Sequence, residues 1–195
     1  MAYEISSGVI STGVLVSYDE MTIYDGGIAS NTTVNNGGSM TVSSGGVASE
    51  TTVNSGGNMT ISEGGVASET TVNSSGFISV YLGSAIGTTI DSAGSMYISG
   101  KMWWSSDESY GYSCGLVEDT TLNSGTLGIY NATISNTTVN DGYVYIKNGV
   151  ATDTTVNNGE ITIYSATISK TIINAGYVNV DNEAAQANST TINGG

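Results

Sequence analysis

The 195-residue chain has no histidine, no arginine, no proline and a single cysteine, Cys114. Each absence removes a class of mechanism. Without histidine there is no imidazole to act as base or metal ligand. Without arginine there is no bidentate clamp for phosphate or carboxylate. One thiol can neither close an intrachain disulfide nor build a multi-thiolate metal site. Cations are scarce as well: Lys101, Lys147 and Lys170 stand against 17 acidic residues, for a formal net charge of −14. A nucleic-acid partner requires a cationic surface that displaces counterions, and this chain would repel one. No run approaches the ~18 apolar residues of a membrane span. Residues 1–13 show neither the cationic start nor the apolar core of a signal peptide. No cofactor and no metal site are expected.

What the sequence does have is repetition. Thr-Thr-Val-Asn occurs at 32–35, 51–54, 70–73, 137–140 and 154–157, with near-copies at 88–91, 120–123, 171–174 and 190–193. The apolar third residue of each copy falls at 34, 53, 72, 90, 122, 139, 156, 173 and 192, giving steps of 19, 19, 18, 32, 17, 17, 17 and 19. Inside one unit, Val53 is followed by Met59, Ile61, Val66 and Val72; inside a later one, Val139 is followed by Val144, Ile146, Val150 and Val156. The 17-residue unit is therefore the 19-residue unit with one residue removed from each of two turns. Gly56-Gly57 and Gly64-Gly65 mark those turns in the long form, Asp141-Gly142 and Asn148-Gly149 in the short form. Gly and Asn tolerate positive φ, so these are corners.

Three short strands and three corners per unit describe one rung of a solenoid. Abundant Gly and Ser with little charge would fit disorder, but the chain is 38% apolar and places those residues regularly. Period-2 alternation puts Val53, Met59 and Ile61 inside and Thr52, Asn54 and Thr60 outside. Thr, Val and Gly dominate while Ala and Leu are scarce, which disfavours a helical solenoid. The expected fold is all-β: a three-sided parallel β-helix of about nine to ten rungs of 17–19 residues, right-handed by the crossover rule. At ~4.8 Å per rung the rod would be about 45 Å long. Residues 1–13 are read as a lead-in or cap strand and 14–195 as the solenoid, with a loop insert at about 100–113 accounting for the 32-residue step.

Two columns accompany the marker. Thr stands two residues before it in all nine units, and its hydroxyl is expected to bond backbone groups near a corner. An ice-binding threonine array would need outward Thr at two alternating positions, which Glu50 and Asn54 around Thr52 deny. The Asn column after the marker is expected to hydrogen-bond along the stack.

The run from Gly45 to Gly76, GGVASETTVNSGGNMTISEGGVASETTVNSSG, resembles the repeats of AIDA-type autotransporter adhesins. The resemblance is close over residues 14 to about 98 and looser over 115–195. It implies a bacterial passenger-type β-helix, displayed extracellularly at the cell surface, whose roles are adhesion to a surface glycan or protein, or self-association. It also implies that Ser residues near rung corners can receive heptose from a dedicated heptosyltransferase; the matching positions are Ser43, Ser44, Ser55, Ser62 and Ser74. Neither a signal peptide before the repeats nor membrane-barrel segments after them are visible, so a fragment or another export route is expected.

Local chemistry offers a second class of function. Insertions in solenoids cluster on a functional face, and this one holds both tryptophans, Trp103 and Trp104, beside Asp107, Glu108 and Tyr110. Aromatic faces next to hydrogen-bonding groups suit sugar binding. Tyr97 and Tyr145, outward on the strand from which the insert leaves, join this set as ligand-contact candidates. The alternatives to the adhesive rod are thus a glycan-binding module built on the Trp103/Trp104 loop or a polysaccharide-cleaving β-helix. The last is disfavoured: Glu50 and Glu69, with Asp119 and Asp153 later in the same column, form repelling surface charges without a basic partner. The chain is expected not to be an enzyme.

Overall fold

The computed structural model describes residues 2–91, 93–104, 110–113, 115–181 and 184–194, with backbone alone for 101–104 and 110–113. No α-helix occurs among the described residues. The chain winds as a parallel β-solenoid of about ten rungs, each contributing three strands such as Thr52–Val53, Asn58–Ile61 and Val66–Ser68. In most rungs the longest strand belongs to one ten-stranded sheet, the long face, running from Ala2–Ile5 to Tyr177–Val180. The other two faces form one continuous ladder, because in Thr133–Val139 and Val150–Val156 the strand passes the corner between them unbroken.

The apolar markers stack in one file: Val16, Val34, Val53, Val72, Ile90, Leu122, Val139, Val156, Ile173 and Ile192. Ile90 pairs with Leu122 in the same register as its neighbours, so the 32-residue step adds an insert and leaves the winding unchanged. That insert is an antiparallel hairpin, Lys101–Trp104 against Tyr110–Ser113. Pairing begins earlier than the expected boundary at residue 14. Ala2–Ile5 already lies against Glu20–Ile23, and Ile10–Thr12 against Ile28–Ser30; Ile5 supplies the buried position that makes this a rung.

The core follows the alternation. On the long face, Met21, Met40, Met59, Ile78 and Met96 form one inward file, and Ile23, Val42, Ile61, Val80 and Ile98 the next, all fully buried or nearly so. Small Ala29, Ala48, Ala67 and Ala85 occupy the third face. Each fully buried aliphatic side chain contributes roughly 1.5–3 kcal/mol.

Corners carry two kinds of backbone. At Gly57 a Cβ would sit 2.3 Å from the Val34 carbonyl oxygen of the preceding rung, so any side chain there would force rungs apart. Between the third strand and the marker strand, the turn is made by a single left-handed residue: Asn31, Glu50, Glu69, Asp119, Asn136, Asp153 and Lys170 all have φ between 51° and 54°. Non-glycine residues seldom adopt this conformation. Rung-to-rung hydrogen bonds fix it here, as Glu50 N–H donates to Ser68 C=O at 3.0 Å and Lys170 N–H to Asn188 C=O at 3.0 Å. The acidic column thus lies on a corner.

The polar columns behave differently from each other. Side-chain amides form a ladder in which Asn140 donates to Asn123 at 2.7 Å, Asn157 to Asn140 at 2.8 Å, Asn174 to Asn157 at 2.9 Å and Asn193 to Asn174 at 2.8 Å. Asn123 donates to Asp91 at 2.7 Å, bridging the rungs on either side of the insert. The threonine file corrects an expectation. Thr32, Thr51, Thr70, Thr88, Thr120, Thr137, Thr154 and Thr171 are buried, but their hydroxyl oxygens find no hydrogen-bond partner among the described residues. The carbonyls at these positions already bond the next rung, as Thr51 accepts from Thr71 at 2.8 Å, and the side chain fills core space as a valine would.

Candidate functional site

The site lies on the outer surface of the long face, where three outward files run along the rod. The central file reads Glu4, Thr22, Thr41, Thr60, Ser79, Tyr97, Gly128, Tyr145, Thr162 and Asn179. On one side of it lie Phe77, Ser95, Thr126 and Tyr143, and on the other Ser99, Tyr130, Lys147 and Tyr164. Short hydroxyl residues in the early rungs therefore give way to aromatic rings from Phe77 onward.

Gly128 organises these rings. A Cβ there would meet the Tyr97 ring at 2.6 Å and the Tyr130 ring at 3.1 Å. With only hydrogen at this position, Tyr130 leans over the glycine and links its neighbours. Phe77 and Tyr97 have ring centroids 5.6 Å apart, Tyr97 and Tyr130 stack at 6.3 Å, and Tyr130 and Tyr145 tilt together at 5.5 Å. Beside this file opens a shallow groove of about 310 Å³, lined by Tyr97, Thr126, Gly128, Tyr130, Tyr143, Tyr145 and Lys147. Burial, then the adjoining Tyr97, Tyr145 and Tyr143, raises the Tyr130 phenol above its ordinary value of 10.0.

Lys147 stands at the rim with its ammonium 5.2 Å from the centre of the Tyr164 ring, a cation–π distance. The other lysine with described side-chain contacts, Lys170, lies 3.5 Å from Asp153 on the corner column. Both of its partners are well exposed, so the pair contributes little to stability.

The expected site residues separate into three groups. Tyr97 and Tyr145 come together in the groove. Asp107 and Glu108 lie outside the described residues, as do the side chains of Trp103, Trp104 and Tyr110; the hairpin bearing them leaves the long face directly after Ser99, and Gly100 N–H donates to the Tyr130 carbonyl at 2.9 Å. Its base therefore adjoins the groove. Among the corner serines, Ser44, Ser55 and Ser74 are exposed on turns, whereas Ser43 and Ser62 are half-buried just after the strands Ser39–Val42 and Asn58–Ile61. Sequence reasoning missed Gly128, Thr126 and Lys147 as site residues. The signal for Gly128 lies in the rung arithmetic, which aligns it with Tyr97 and Tyr145, but a glycine carries no chemistry of its own to mark it.

The rungs that precede the groove match the family described as "Adhesin of bacterial autotransporter system, probable stalk" over residues 2–57, 20–76 and 45–94. These are AIDA-type autotransporter adhesin repeats. The rungs beyond residue 94 continue the AIDA-type winding in the same register. No curated protein sequence matches the chain. Among solved structures it resembles a TibC-catalysed hyper-glycosylated fragment of TibA, residues 55–350, with a TM-score of 0.55 and 23% identity over 100% of this chain and 94% of that one. At that identity the likeness concerns the fold. The matched residues 2–94 carry adhesin-type repeats, the whole chain winds as one β-solenoid, and the tyrosine groove departs from the outward pattern of those repeats.

Proposed function

We propose that this chain is a non-catalytic stalk segment of a bacterial surface adhesin, and that it makes contact through the tyrosine groove and the adjoining hairpin. The observation that carries this reading is the replacement of a hydroxyl-rich outward file by aromatic rings arranged around Gly128. Repeats that served only as spacer would have no reason to vary there. Aromatic side chains concentrate binding energy at interfaces because they present large, rigid, amphipathic surfaces. The corresponding test compares cell adhesion and bacterial auto-aggregation for the wild-type chain, Gly128→Ala and Tyr145→Ala. Both variants should adhere several-fold less while keeping the wild-type circular dichroism. Unchanged adhesion by both would refute the groove as the contact surface.

A modification reading is favoured by one observation: Ser44, Ser55 and Ser74 are exposed on turns. The similar TibA fragment is glycosylated by TibC, and these three serines are the accessible acceptors for an equivalent heptosyltransferase here. Co-expression with such an enzyme and peptide mass spectrometry should find sugar on these three ahead of Ser43 and Ser62. Sugar on the half-buried pair alone would overturn that order.

A further inference from the structure

The groove differs in electrostatic character from the acidic chain that carries it. The chain carries 17 acidic residues and three lysines, yet among the described residues no carboxylate lines the groove and one lysine, Lys147, does. No carboxylate pairs with Lys147 among the described residues. Its ammonium is steadied over the Tyr164 ring, an interaction that positions a cation while leaving its charge available. A cation without a carboxylate partner among the described residues, at the rim of the aromatic groove, marks where an incoming negative charge is met.

The remaining lining identifies what carries that charge. Tyr97, Tyr130 and Tyr145 present a run of rings spaced at 6.3 and 5.5 Å, close to the repeat of successive rungs. The apolar C–H face of a pyranose ring packs on such a surface, and tyrosine and threonine hydroxyls can hydrogen-bond its edge. The groove is open and about 310 Å³, room for one or two sugar rings and too shallow to enclose a compact apolar ligand, which would leave those hydroxyls unpaired. We propose that the groove binds an acidic saccharide, a sugar bearing a carboxylate, with its ring packed against the run of Tyr97, Tyr130 and Tyr145 and its carboxylate on Lys147. This rests on the groove being the contact surface, as proposed above, and adds the chemical class of its ligand.

The experiment uses the full chain and two matched probe pairs: 3′-sialyllactose with its methyl ester, and trigalacturonate with its methyl ester. The esters keep the sugar and remove only the charge. At least one free acid should bind about tenfold more tightly than its ester, or about 1.4 kcal/mol. Lys147→Gln, an outward-facing substitution that leaves the core untouched, should erase that preference. Gly128→Ala should weaken acid and ester alike. Equal binding of acid and ester overturns the inference but leaves the groove as a saccharide contact. A preference that survives in Lys147→Gln also overturns it, since the recognising charge would lie elsewhere. No binding of any probe, with adhesion still lost in Gly128→Ala, overturns the inference and makes the groove a protein contact. If adhesion is unaffected as well, the groove reading fails with it.

Discussion

Thr70 and Tyr130 show how single side chains in this solenoid can be at odds with, or adapted to, their surroundings. The Thr70 hydroxyl is buried without a partner, and such a group destabilises by about 1–3 kcal/mol relative to a satisfied one. Thr70→Val is therefore expected to raise the unfolding free energy by roughly 1 kcal/mol, read as a higher urea midpoint; a loss of stability would show that the hydroxyl is satisfied after all. Tyr130 has a raised phenol, chiefly through burial, so the folded state favours its neutral form. That contribution is complete below the ordinary tyrosine value of 10.0 and disappears as pH climbs through and beyond it. Alkaline titration followed by phenolate absorbance should show one late-ionising tyrosine that vanishes in Tyr130→Phe. The inside-outside assignment at Val53, Met59 and Ile61 was legible in the sequence, because alternation determines direction. The bonding state of the Thr hydroxyls was not, because burial and satisfaction are separate properties and alternation reports only the first.

At the level of the element, the amide ladder gives the clearest test. Asn140 donates to Asn123 and accepts from Asn157, so each amide both extends and depends on its neighbours. Asn140→Ala should lower stability by about 1 kcal/mol. Asn140→Asp should lower it further, since the carboxylate would face the Asn123 carbonyl oxygen with no proton to offer. Equal midpoints in urea for wild type and both variants would mean that the ladder follows the stack without supporting it. Strand positions and this ladder could be read from fixed offsets between markers. The left-handed corner at Glu50 and Glu69 could not: glutamate carries no positive-φ signal, and the conformation is held by hydrogen bonds between rungs. Nor could the fit of Tyr130 over Gly128, which depends on ring directions across three rungs.

For the whole molecule, the feature with the widest consequence is the invariance of register across rungs of 17, 18 and 19 residues and across an inserted hairpin. Each turn adds the same increment of height whatever its length in sequence, so the rod works as a ruler graduated at ~4.8 Å. Residues 53–71 are one full graduation, and removing them would join Thr52 to Val72, restoring the same Thr-Thr-Val-Asn sequence. The shortened chain should remain folded, lose ~4.8 Å of length by small-angle scattering, and bind its ligand with unchanged affinity; a collapse of the fold or of binding would show that rungs are not interchangeable. If they are, unequal duplication of the gene can raise or lower the groove relative to the surface that bears it without altering its chemistry. Reach and recognition would then evolve as independent quantities within one chain.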